Sequence, residues 1–299
     1  MQTVEAGGRI ALKNILFATD FSPYSNAALP YALAIAHQYG ARLYGVHVLA
    51  ADDYMFVAPE TWPARVQREE ELQKEAIERL EEQLRGVPHH ALCGEGDVWD
   101  VLCQLTGEHE IDLVVVGTHG RTGARKLLLG SIAEKIFRQA SCPVLTVGPK
   151  VVSQQKSVAE FNQILFATDF GAESVAAASY AISLAQEHQA RLSLLHVVDR
   201  SKTDPSLSPT ADTEFNSEVR RLQELVPPDA ELWCRPEYFI ESGVPAERIL
   251  QFTAAHDVDL IVMGVRPALG ALSVVTHFAH TTAQQIAAQA TAPVLTVRG

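Results

Sequence analysis

The sequence predicts an α/β protein made of two copies of one domain, each a parallel sheet flanked by helices. Three observations carry this. First, four stretches recur: NILFATD at 14–20 and QILFATD at 163–169, ARLYGVHV at 41–48 and ARLSLLHV at 190–197, EIDLVVVG at 110–117 and DVDLIVMG at 257–264, SCPVLTV at 141–147 and TAPVLTV at 291–297. Second, their offset stays between 147 and 150 residues, which is the period of a duplicated domain and not of a solenoid. Third, short apolar runs alternate with stretches of helical spacing, and strands alternating with helices imply a parallel sheet with right-handed crossovers. The expected domains are 1–150 and 151–299, joined near KVVSQQKSVAE at 150–160.

The elements of the first copy follow in order. ILFAT is continuously apolar, as a strand buried on both faces should be. SPYSNAALPYALAIAHQYG reads as one helix, opening with Ser22 and Pro23 and stopping at Gly40. ARLYGVHV is the second strand. Residues 63–86 form a charged helix with Leu72, Ile77, Leu80 and Leu84 on one side, its many Glu residues making a solvated face. A weak third strand near 89–93 precedes a helix at roughly 97–109. DLVVVG is the fourth strand, SIAEKIFRQA the last helix and PVLTV the fifth strand.

Composition sets aside several classes of function. With 299 residues, 47% of them hydrophobic and 20% charged, the chain can build two ordinary cores. A net charge of −12 repels nucleic acid and anionic membranes. MQTVEAGGRIALKN has no long apolar run, so neither a signal peptide nor a membrane span is expected. Cys93, Cys103, Cys142 and Cys234 form no C-x-x-C pair and read as small buried hydrophobes in a reducing cytoplasm, without disulfide or zinc.

The stretch most suggestive of function is GTHGRTGARKLLLGS, residues 117–131. Gly117 ends the fourth strand, and Ser131 with Glu134 makes an S-x-x-E capping box at the start of the last helix. A helix start presents unpartnered amides and the positive end of its dipole, a natural anion site. Gly117, Gly120 and Gly130 allow unusual dihedrals and close approach, while Arg121, Arg125 and Lys126 add positive charge. The stretch reads either as a flexible loop before a capped helix or as a phosphate cradle. The other strand ends favour the cradle. Asp20 ends strand one, where it can bond a ribose hydroxyl or cap the following helix. Val48 ends strand two, where backbone groups can read an adenine edge or the side chain simply packs. Neither a Walker A loop nor the G-x-G-x-x-G dinucleotide fingerprint occurs.

On these residues the chain resembles the universal stress protein A family, in a tandem form covering nearly its whole length. The ATP-binding branch carries G-x-x-G, nine residues, then G-[ST]. Here that pattern is Gly117, Thr118, His119, Gly120, residues 121–129, Gly130 and Ser131. LFATDFSPYS and CPVLTV also resemble the family. The resemblance implies two Rossmann-like, adenine nucleotide alpha hydrolase-like domains, each with a five-stranded parallel sheet of order 3-2-1-4-5. It implies that Asp20 and Val48 contact adenosine, that Ala18 and Thr19 line the base pocket, and that Gly117, Gly120, Gly130, Ser131 and Ile132 hold the phosphates of ATP with its magnesium.

The second copy keeps Asp169, Val197 and Gly264, but Pro267 replaces the second glycine, the loop is three residues longer, and His280 and Thr281 stand where Gly130 and Ser131 stand. Pro267 removes a donor, and His280 takes a positive φ only at a cost. Thr281 with Gln284 can still cap the helix. The second copy is therefore expected to be a degenerate packing partner. His47 and His196 are expected to be satisfied core residues, whereas His119 lies inside the loop and could meet a phosphate. The two PVLTV strands would otherwise be exposed edges, so they are expected to pair as an intramolecular pseudo-dimer, with room for two chains to associate further. The loop at 52–62 reads as a lid, an interface or ordinary packing, and 201–213 as a mobile loop.

The reading that results is a cytoplasmic ATP-binding stress or signalling protein whose nucleotide occupancy alters conformation or partner binding. A slow ATP hydrolase and a nucleotide-independent assembly protein are the alternatives. No catalytic residue and no protein metal ligand is assigned.

Overall fold

The computed structural model describes residues 10–49, 62–118, 129–152, 160–199, 211–228, 236–266 and 281–298. The first half runs β1 (Asn14–Ala18), α1 (Pro23–Asn26), α2 (Leu29–Tyr39), β2 (Arg42–Leu49), α3 (Trp62–Gln83), β3 (His89–Glu95), α4 (Val98–Glu108), β4 (Leu113–Gly117), α5 (Ser131–Gln139), β5 (Val144–Val147) and α6 (Pro149–Val152). The second runs β6 (Gln163–Thr168), α7 (Ala172–His188), β7 (Arg191–Val198), α8 (Ala211–Glu224), β8 (Glu237–Ser242), α9 (Pro245–Ala255), β9 (Leu260–Gly264), α10 (Thr282–Gln289) and β10 (Val294–Val297).

All these strands join one sheet in the order β3-β2-β1-β4-β5-β10-β9-β6-β7-β8. Each half keeps the order 3-2-1-4-5, but the two sheets are continuous. Pairing is parallel everywhere except at the centre, where β5 and β10 run antiparallel with Leu145 opposite Leu295. Thr146 donates its hydroxyl to Val294 O at 3.1 Å, and Thr296 donates to Val144 O at 3.2 Å. The two apolar edge strands thus cover each other.

Alternation along the strands splits the core between the two faces of the sheet. Ile15 and Phe17 join one cluster with Ile35 of α2 and Leu184 of α7, which runs across both halves. Leu16 joins another with Leu102 of α4 and Ile136 of α5.

Four expectations need correction. The single helix after β1 is two helices, broken at Ala27 and Ala28. Pro30 lacks the amide that would continue the first one and sits in the first turn of the second. Ser179 stands at the matching position in α7, which runs unbroken for 17 residues. On α3, Ile77 is exposed and Ala76 takes its place in the buried stripe, because the inward row runs 72, 76, 80, 84 at intervals of four. The cysteines are not uniformly buried: Cys103 is exposed, Cys93 and Cys142 are half-buried, and Cys234 lies outside the described residues. The fourth correction concerns the start of α5 and is taken up with the site. No helix among the described residues is long and apolar enough to cross a membrane.

Candidate nucleotide site

The crevice is built at the ends of β1, β2 and β4. Ala18 is paired with Val46 on one side and Val116 on the other, so β1 and β4 are neighbours where the strand order reverses. Thr19 continues the ladder, its amide donating to Val46 O at 2.9 Å. Its hydroxyl is engaged locally, accepting from Phe21 N at 2.9 Å and lying 3.0 Å from Ser25 Oγ. Asp20 is half-buried and accepts from Ser22 N at 3.0 Å through Oδ1. Ser22 in turn caps α1 by accepting from Ser25 N. Val48 lies opposite Gly94 and packs partly against the Leu16–Leu102 cluster.

On the β4 side, the buried Thr118 ties the segment down. Its amide donates to Val147 O at 2.9 Å, and its carbonyl accepts from Gly130 N at 2.8 Å. That second bond closes the neck of the glycine-rich stretch and brings the start of α5 to the end of β4. It uses the amide of Gly130, so this residue fastens the neck. Gly130 is the N-cap of α5, with φ −62° and ψ 154°, and makes no side-chain cap. The expected Ser131–Glu134 capping box is therefore absent. Ser131 falls one residue inside the helix, and the box needs its hydroxyl residue at the N-cap itself. The helix start is left with first-turn amides that have no intrahelical partner and an exposed Ser131. Ile132, half-buried beside it, supplies the second of these amides.

Gly117 has ordinary φ. Its missing side chain allows a close approach of protein: a Cβ would lie 2.7 Å from Tyr24 O, against the backbone of α1. Gly264 plays the same part in the second half, where a Cβ would meet the Glu173 carbonyl carbon of α7 at 2.3 Å. This explains why that glycine survives in a copy that loses the motif's other two glycines. Gly120, His119, Arg121, Arg125 and Lys126, like Pro267 and His280, lie outside the described residues, as do 52–61 and 201–210.

Among the described residues, the second crevice shows two sets of contacts. Asp169 Oδ1 accepts from Gly171 N at 2.9 Å and Ser174 Oγ at 2.7 Å, while Arg266 Nη2 lies 3.1 Å from Oδ2. Burial pushes the Asp169 carboxyl up, but these donors and the Arg266 charge outweigh it and hold the group below its usual range. The start of α10 is closed by its own side chains. Gln284 N donates to Thr281 Oγ1 at 3.3 Å, and Thr281 N donates to Gln284 Oε1 at 3.0 Å, a complete capping box. The sequence foretold that box. The Arg266 contact has no counterpart among the sequence motifs.

Both histidines are satisfied. His47, 4% exposed, and His196, half-buried, each place Nδ1 2.8 Å from a carbonyl, of Thr19 and Thr168 respectively. A carbonyl can only accept, so Nδ1 carries the proton in both.

The fold agrees with that of a universal stress protein from Archaeoglobus fulgidus, with a TM-score of 0.70 and 19% identity over 95% of this chain and 98% of that one. Among sequence relatives, a universal stress protein of Methanocaldococcus jannaschii is 29% identical over 49% of this chain and 88% of its own length. The universal stress protein A homolog 1 of Coxiella burnetii is 36% identical over 46% of this chain and 97% of its own. The model of the universal stress protein family matches residues 11–148 and again 160–298, so the chain belongs to that family and carries its domain twice.

Proposed function

We propose that the first domain, 1–150, binds ATP with magnesium, and that occupancy of this one site regulates how a cytoplasmic stress or signalling protein meets its partner. The observation that carries the reading is the start of α5, where no side chain among the described residues caps the first turn, fastened by the Thr118–Gly130 bond to the strand that neighbours β1 and Asp20. First-turn amides and the helix dipole suit a phosphate. Asp20 suits a ribose hydroxyl, and Ala18, Thr19 and Val48 flank the space for a base. Ser131 and Ile132 are the donors in this reading, with Gly117 and Gly130 shaping the walls and Gly120 completing the motif. The second domain, 151–299, is read as silent, because Pro267 and His280 replace two of the motif's glycines and Thr281 caps its helix.

A proline at position 131 separates binding from folding. It removes the first amide and the hydroxyl of α5, yet proline is favoured at this helix position, and Gly130 already has the extended conformation that a following proline requires. Ser131→Pro should weaken ATP binding about tenfold or more in calorimetric titration, as loss of a hydrogen bond to a charged group does, with an unchanged melting temperature. Unaltered affinity would remove the helix start from the site.

A further inference from the structure

Phe21 and Phe170 both have φ of 60°. This left-handed region is costly for a bulky side chain. The other non-glycine residues with positive φ among the described residues, Glu110, Gln189 and Asp257, follow helix C-termini, where such a conformation ends the helix. Phe21 and Phe170 follow strands, at the turn that carries the crevice aspartate, so they need another cause.

Each is held by the same set of contacts. Phe21 N donates to Thr19 Oγ1 and Phe170 N to Thr168 Oγ1, both at 2.9 Å. The Phe21 ring lies 4.6 Å from the His47 ring, and the Phe170 ring 4.5 Å from that of His196. The Arg79 guanidinium also stands over the Phe21 ring, 4.3 Å from its centroid, and that of Arg221 over Phe170 at 3.9 Å. The helices supplying these arginines, α3 and α8, share little sequence. They do share an Arg-Leu pair whose leucine, Leu80 or Leu222, is fully buried. The leucine anchors the helix to the core and sets the preceding arginine over the ring. Arg79 itself is exposed, so its place is not explained by core burial.

We propose that Arg79 is a positioning residue for the ribose of the bound nucleotide: held by Arg79 and His47, Phe21 keeps the left-handed turn that aims the Asp20 carboxylate. This rests on the reading of Asp20 as the ribose contact. The same stack in the second half marks the turn as an inherited device, there spent on an aspartate that Arg266 occupies.

The test compares the affinities of ATP and 2′,3′-dideoxy-ATP, each with magnesium, for the full chain and for Arg79→Ala, Arg79→Lys and Phe21→Gly. Glycine accepts a φ of 60° without strain but lacks the ring. Wild type should prefer ATP. Arg79→Ala and Phe21→Gly should lose most of that preference, on the order of tenfold, with dideoxy-ATP binding unchanged. Arg79→Lys, which keeps a cation over the ring, should fall between. If Arg79→Ala keeps the full preference, or weakens both nucleotides equally, the positioning role is wrong. A wild type that binds both nucleotides equally would refute the Asp20 contact, and one that binds neither would refute the nucleotide site itself. Either result takes this proposal with it.

Discussion

A Cβ on Gly117 would lie 2.7 Å from Tyr24 O, and one on Gly264 2.3 Å from the carbonyl carbon of Glu173. Neither distance can be relieved by a side-chain rotation, because both obstacles are backbone. Gly117→Ala and Gly264→Ala should each destabilise the chain by about 1–3 kcal/mol, as overpacking does, in urea unfolding without nucleotide. Equal costs in the two halves would mark both glycines as helix-packing residues. A Gly117→Ala variant of full stability that lost only ATP affinity would contradict this. Other residues that suggest chemistry are similarly occupied by structure. Asp112 Oδ2 accepts the amides of Lys13 and Asn14, and Asp259 Oδ2 those of Asn162 and Gln163.

At the scale of elements, the two helix starts differ in the groups an anion would use. Thr281→Ala should cost about 1 kcal/mol by removing a capping hydroxyl from α10. Ser131→Ala should stay within about 0.5 kcal/mol, since Ser131 caps nothing in α5. Urea unfolding of both variants checks the contrast, and equal losses would mean that α5 is capped after all. The strands and their order were legible because their apolar runs repeat in both copies and the family resemblance supplies the order. The capping box was misread because S-x-x-E fixes a spacing but not the residue at which the helix begins. The break in the first helix was written in Pro30, yet a proline in the first turn of a new helix and one inside an old helix look alike in sequence. The Thr118–Gly130 neck and the Arg266 clamp join residues through folded geometry that no local pattern encodes.

At the scale of the whole molecule, the described strands form one ten-stranded sheet closed at its centre by β5 and β10. The pairing uses within one chain the edges that single-domain copies would leave exposed, and leaves β3 and β8 as the outer strands. It also places the two crevices at opposite ends of the strand direction, since the central pair is antiparallel. A ligand in the first therefore need not encounter the second, and the account assigns one nucleotide to two similar domains. The most direct measurement is calorimetric titration of the intact chain with ATP and magnesium, with any co-purified nucleotide first removed and identified by chromatography. The account predicts one site per chain, abolished or strongly weakened by Ser131→Pro and unaffected by Arg266→Ala. Two sites per chain, or none in a protein that carried no nucleotide, would contradict it.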